Sequence, residues 1–227
     1  MLIVYFIFGC ILGSFLCLVA ERVPAKKSII IPASHCVFCQ TKLKAFELIP
    51  LISILILRFR CRYCQHRLPI TYFLSELCCG MLCVLVFQNT QPLYSFSILA
   101  MAFLLSLTDI FYLIVEPRLF YPLGIILCIE HITLALPIHF FTCFIVFLSL
   151  IILNYLVPDS VGGGDIFLLT LWGALLGSEA LMLLLFVASG SGLCFFLFYR
   201  FVLKRELQHL PFVPFLSFGL LFVLLLK

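Results

Sequence analysis

Apolar residues run through this chain in long blocks, broken by short polar, charged or proline-bearing stretches. The first block, Met1 to Ala20, is followed by a mixed segment with frequent basic positions that lasts to Pro69. Beyond it, apolar blocks cover about 70–88, 93–109, 119–136, 138–157, 166–178, 180–199 and 211–226. Most approach the roughly 20 residues that carry a helix across a hydrocarbon core. Pro92, Pro117, Pro137, Pro158 and Pro211 fall at or near the breaks, where a helix would stop. The pattern predicts an all-α integral membrane protein with about eight transmembrane helices. The 166–178 block is short for a full crossing and is expected to tilt or to pack between neighbours.

Composition sharpens this picture. Hydrophobic residues make up 65% of the 227 positions and charged residues 11%, against about 45–50% and 25% in soluble domains. A water-soluble globule is excluded. Nine of the 14 Lys and Arg lie between Arg22 and Arg67: Arg22, Lys26, Lys27, Lys42, Lys44, Arg58, Arg60, Arg62 and Arg67. If residue 1 is outside, the inside connections 21–69, 110–118, 158–165 and 200–210 hold 13 of those 14 residues. That distribution obeys the positive-inside rule and predicts an external N-terminus. A loop beside a membrane explains the basic patch without a nucleic-acid partner. No basic residue precedes the first apolar block, as one would in a secretory signal, so the first helix is expected to be retained. Three parts follow: a first helix (1–20), a cytosolic basic loop (21–69) and a membrane core (70–227). Within the loop, Leu48 to Leu57 is apolar but too short to cross, and is expected at the interface or against the helices. No internal repeat stands out.

The chain has 12 cysteines. Cys10, Cys17, Cys78, Cys79, Cys83, Cys128, Cys143 and Cys194 sit in apolar blocks, where Cys acts as a small hydrophobe. The other four form two knuckles in the basic loop, Cys36-Val-Phe-Cys39 and Cys61-Arg-Tyr-Cys64, separated by 21 residues. Paired Cys-x-x-Cys knuckles place four thiolates around zinc, with no open position for water, so a structural ion is predicted. A reducing cytosol argues against two disulfides.

Only three aspartates occur, Asp109, Asp159 and Asp165, all at predicted cytosolic ends of spans. A carboxylate at membrane depth is costly and is a functional candidate. Asp109 lies between apolar residues at a helix C-terminus, where a negative charge is disfavoured. Asp165 follows Gly162-Gly163-Gly164. An Asp is a good helix N-cap, but three glycines exceed what a cap needs; they are expected to allow unusual backbone angles and close approach of a peptide. Asp159 reads as an ordinary turn residue. If Asp109 and Asp165 face one another they share a proton, and the pair can activate water while polarising a carbonyl. His131 and His139 map to the outer side, and no glycine-flanked serine elbow competes.

These residues resemble the type IV prepilin peptidases, membrane proteases with a Gly-x-Gly-Asp motif, matched by Gly162, Gly163, Gly164 and Asp165. Gly13-Ser14-Phe15-Leu16 with Arg22-Val23-Pro24 resembles the family's first helix and its exit. The two knuckles flank Leu48-Ile49-Pro50-Leu51-Ile52-Ser53, as in the family. Tyr72 and Glu76 match its second helix, and Pro211-Phe212-Val213-Pro214-Phe215 the start of its last. The likeness is greatest to competence-type members of Gram-positive bacteria. It implies that Asp109 and Asp165 are the catalytic pair. It also implies a substrate: a type IV pilin-like precursor with a short basic leader, cut just after a glycine at the cytosolic face of the bacterial plasma membrane. Many members also methylate the new N-terminus with S-adenosylmethionine; here that rests on resemblance alone. The chain departs from the pattern after Cys36, which lacks a following proline, and at Phe167 and Val213, where lysine and glycine are usual. Glu76 is expected either to meet positive groups of the substrate or to hydrogen-bond between helices. Glu47 has the same options in a solvated loop. Two other readings use the same carboxylates: a GxGD intramembrane protease of another substrate class, and a proton-coupled transporter.

Overall fold

A computed structural model describes residues 1–88, 91–158, 160–202 and 210–226. Asp159 lies outside the described residues. The elements are helical: α1 (Leu2–Arg22), a 3-10 turn (Ala45–Leu48), α2 (Ile52–Ile56), α3 (Ile70–Val86), α4 (Pro92–Tyr112), α5 (Pro117–Thr133), α6 (Phe140–Leu156), α7 (Gly163–Leu176), α8 (Ser178–Phe201) and α9 (Val213–Leu226). Each predicted span is a helix, with shifted ends. The third continues to Tyr112, so Asp109 sits inside it rather than closing it. Helices α1, α4 and α8 have 21, 21 and 24 residues and are long enough to cross a membrane. α7 has 14 residues, or about 21 Å at 1.5 Å per residue, short of the roughly 30 Å hydrocarbon core.

Two compact units divide the chain, Met1–Phe96 and Ser97–Lys227. In the first, α1 packs closely on α3 through small residues. A Cβ on Gly9 would lie 2.6 Å from the Cys79 carbonyl oxygen, one on Gly13 2.6 Å from that of Ser75, and one on Gly80 2.7 Å from Cys10 Sγ. Cys10, Cys17, Cys79 and Cys83 are buried here. Lipid supplies no hydrophobic drive between helices, so close backbone approach provides the dispersion contact. Tyr5 stacks on Phe87 at 4.6 Å, and the Tyr72 hydroxyl donates to Glu21 at 3.1 Å.

The second unit buries Ile98, Ala102, Leu105, Leu168, Trp172, Leu184, Leu216 and Leu220. α6 has no buried residue although most of its positions are apolar, as expected of a helix whose surroundings are lipid. α9 approaches α8 so closely that a Cβ on Gly219 would lie 2.5 Å from the Leu184 carbonyl oxygen. Gly190 on α8 has nothing within 4 Å of such a Cβ.

These two glycines make opposite predictions. Gly219→Ala should lower the apparent melting temperature in detergent, because overpacking against backbone costs about 1–3 kcal/mol. Gly190→Ala should leave it unchanged or raise it, since alanine is the better helix former by about 1 kcal/mol.

Candidate functional site

The second unit builds its polar centre at the end of α4. Ser106 donates to the Ala102 carbonyl at 2.7 Å and lies 2.6 Å from the Ser217 hydroxyl, which itself donates to Ala102 at 3.0 Å. This hydroxyl pair fastens α4 to α9. One turn on, Asp109 is only 7% exposed. Its Oδ2 accepts the backbone N–H of Val213 at 2.9 Å, and the Phe212 N–H is a second donor. Val213 opens α9, so the carboxylate meets unsatisfied amides at the positive end of another helix. The charge that is disfavoured at the end of its own helix is stabilised by its neighbour. Nothing in the local sequence around Asp109 pointed to this partner, more than 100 residues away; only the polar Ser217 within an apolar run hinted at the α4–α9 contact.

After α4 the chain reverses at Leu113, with φ 56°, and Leu113 N–H returns to the Asp109 carbonyl at 2.9 Å. Val115 then meets the glycine motif. A Cβ on Gly164 would lie 2.5 Å from Val115 Cβ, whereas one on Gly163 would meet nothing within 4 Å. Gly162 and Gly163 are exposed. The expectation of unusual angles here is corrected: Gly162 has φ −61° and ψ 138°, Gly163 begins α7, and the positive-φ glycine among the described residues is Gly177. The motif needs glycine for space. Asp165 is the third residue of α7, not its N-cap, which is Gly162. It is half-buried and within electrostatic reach of Asp109. The structure therefore brings Asp109, Asp165 and the three glycines into one neighbourhood. Two interacting carboxylates beside bare backbone can activate a water and polarise a carbonyl.

The first unit holds the other predicted residues. Sγ atoms of Cys36, Cys39, Cys61 and Cys64 all lie within 4.8 Å of one another, with Cys36–Cys64 at 3.9 Å and Cys39–Cys61 at 4.0 Å. A tetrahedral ion with metal–sulfur bonds of about 2.3 Å places its sulfurs roughly 3.8 Å apart. The donor set fits such an ion. Thr41, through its hydroxyl and backbone, pulls the Cys39 thiol down to about 6, whereas Cys64 in the same cluster is pushed up to about 11.

The knuckles are also a local repeat that sequence inspection passed over. Cys36-Val-Phe-Cys-Gln-Thr-Lys-Leu43 and Cys61-Arg-Tyr-Cys-Gln-His-Arg-Leu68 align at an offset of 25 residues. Both first cysteines accept from the glutamine four residues on at 2.9 Å, and both glutamines have φ 57°. Cys36 N–H donates to Thr41 at 3.0 Å and Cys61 N–H to His66 at 2.9 Å.

Glu76 is 5% exposed. It accepts Leu51 N–H at 2.7 Å and the Ser14 hydroxyl. It thus ties the 48–57 segment to α1 and α3, and its carboxylate is used within the first unit. The expectation of a solvated Glu47 is corrected. It is buried, accepts Lys44 N–H at 2.8 Å and receives the Tyr63 hydroxyl at 3.4 Å.

Comparison with known proteins agrees with these features. Residues 7–90 match the bacterial peptidase A24 N-terminal domain, and residues 96–197 match the type IV leader peptidase family. A protein named prepilin leader peptidase/N-methyltransferase in Bacillus subtilis is 30% identical over 96% of this chain and 92% of its own length. Proteins of the same name are 28% identical in Vibrio cholerae, over 94% of this chain and 92% of theirs, and 32% identical in Myxococcus xanthus, over 82% and 59%. No solved structure matches. The helices and site define a multi-pass membrane peptidase. The chain belongs to the type IV leader peptidase family.

The Asp109 contact has a measurable consequence. Asp109→Asn keeps an acceptor for Val213 N–H and should fold close to wild type. Asp109→Ala leaves buried amides unpaired and should cost about 1–3 kcal/mol. Thermal unfolding of the two purified variants in the same detergent separates them.

Proposed function

We propose that this chain removes the short basic leader from type IV pilin-like precursors, with Asp109 and Asp165 as its catalytic pair. What supports this is that Asp165 lies within electrostatic reach of Asp109 and next to the exposed backbone of Gly162 and Gly163. An extended peptide can approach there without side-chain obstruction. The pair works with one proton: the ionised group takes a proton from water, and the protonated group hydrogen-bonds the scissile carbonyl. Collapse of the tetrahedral intermediate then returns a proton to the leaving amine. The two groups titrate together, so acid and base are roles of the pair. The chemistry belongs to the 70–227 membrane core, whose 97–227 portion contains both aspartates.

Orientation follows from charge. With 13 of 14 Lys and Arg in the inside connections, the N-terminus is external and the aspartates open to the cytosolic face of the bacterial plasma membrane. The names of the relatives support a second activity, N-methyltransfer; resemblance to the family implies the new N-terminus as acceptor and S-adenosylmethionine as donor. The thiolate spacing supports zinc in the Cys36, Cys39, Cys61 and Cys64 site, where it would serve as a closed structural centre. Glu76 serves the same end, holding the loop on its two helices.

The catalytic reading is tested by co-expressing a pilin-like precursor in membranes with wild type, Asp109→Asn or Asp165→Asn. Wild type should remove the leader. Each variant should accumulate normally and cut at least about 1,000-fold more slowly, the scale lost when an essential catalytic group is removed. Cleavage by either variant at the wild-type rate would remove that residue from the mechanism.

The zinc reading has its own test. Purified protein should carry about one zinc per chain, and Cys61→Ser should lower both metal content and yield. Full zinc occupancy in Cys61→Ser would rule the assignment out.

A further inference from the structure

Within the first unit, α2 turns Ser53 and Ile54 inward and presents Ile52, Leu55 and Ile56 outward, 56%, 53% and 74% exposed. The depth of this face can be worked out. Leu51, which immediately precedes α2, is bonded through its amide to Glu76. Glu76 lies six residues beyond Ile70, the first residue of α3. At 1.5 Å per residue that is about 9 Å along a membrane helix. Ser14, the other partner of Glu76, is eight residues before the end of α1 at Arg22, or about 12 Å. Glu76 therefore holds α2 level with the second turn of α3, below the ends of both helices. An apolar element about 9–12 Å below those ends lies near the headgroup–acyl boundary.

Charge selects the kind of lipid. Arg58 and Arg60 follow α2 directly and are exposed. Residues 21–69 hold nine Lys and Arg against two Glu. One of those, Glu47, is buried, and the other, Glu21, accepts the Tyr72 hydroxyl. The loop thus carries a large net positive charge, with Arg58 and Arg60 next in sequence to the apolar face, complementary to an anionic bilayer surface. We infer that the Ile52–Leu55–Ile56 face of α2 docks into the anionic headgroup boundary of the bilayer, with Arg58 and Arg60 on the lipid phosphates. The seat carries the cysteine knuckles with it, because Glu47, in the turn before α2, receives the Tyr63 hydroxyl between Cys61 and Cys64. This inference needs only the membrane-spanning character of α1 and α3 and is independent of the catalytic assignment.

The test is fluorescence quenching in vesicles. Ile56→Trp adds a second tryptophan to a chain whose own Trp172 is fully buried, so the wild-type signal can be subtracted. Leu55→Trp repeats the measurement on the same face. Each protein is reconstituted in phosphatidylcholine alone and in phosphatidylcholine with phosphatidylglycerol, with and without bromine on the upper acyl carbons. The added emission should be blue-shifted and lose most of its intensity to bromine in the anionic vesicles, and lose less in the neutral ones. Arg58→Gln with Arg60→Gln should abolish the difference between the two lipids. Equal quenching by both lipids in the parent protein would overturn the anionic assignment. Blue-shifted emission without quenching would place protein over α2, and red-shifted emission would place water there; either overturns the proposal. Leader cleavage measured in the same vesicles reports separately on the peptidase reading.

Discussion

The carboxylate of Asp109 against the first amides of α9 is the contact on which the second unit depends. An ionised carboxylate buried among apolar helices costs several kcal/mol without partners. Val213 and Phe212 supply two N–H donors that would otherwise be orphaned at the start of α9. One contact therefore satisfies both ends. It also fixes the neighbours: with α9 placed, Ser217 reaches Ser106, and Gly219 meets the backbone of α8. A charge that would destabilise α4 alone becomes the reason α4 and α9 are held in register.

Within the first unit, the same shortage of hydrophobic drive is met in two different media. In lipid, α1 and α3 gain contact by removing side chains, at Gly9, Gly13 and Gly80, until backbones touch sulfur and carbonyl atoms. Outside the membrane the loop is too small and too basic to bury a core of its own; Cys36 and Cys61 are among its few buried residues. Four convergent thiols are placed to hold a metal, and a bound ion would replace that core, since metal binding free energy becomes folding free energy. Glu76 joins the regimes, being a membrane-helix residue whose bond is to a loop amide.

Much of this was legible in the chain itself. Apolar block length located every long helix, because in lipid the backbone has few options besides the helix. The knuckles were legible because four cysteines at two fixed spacings have few other uses. The partners of the polar residues were not. Asp109 reads as a misplaced charge until α9 arrives, and Glu47 reads as solvated until Lys44 and Tyr63 close over it. Those are contacts between distant segments or inside a compact turn, and neither hydropathy nor spacing encodes them. The knuckle repeat was legible in principle, since both copies read Cys-x-aromatic-Cys-Gln-x-basic-Leu.

In the glycine motif, volume rather than backbone freedom explains the residue type. Three consecutive glycines invite an argument from backbone freedom, yet Gly162 is ordinary extended backbone and Gly163 and Gly164 are ordinary helix. What glycine supplies is absence of volume, used differently at each position. At Gly164 the space is taken inward by Val115, which brings the chain after α4 against the start of α7 and so brings Asp165 towards Asp109. At Gly163 the space stays open, and with Gly162 it leaves exposed backbone next to Asp165. Packing and access are thus divided between adjacent residues of one motif. A side chain at Gly164 would have to displace Val115, whereas one at Gly163 would meet no neighbour.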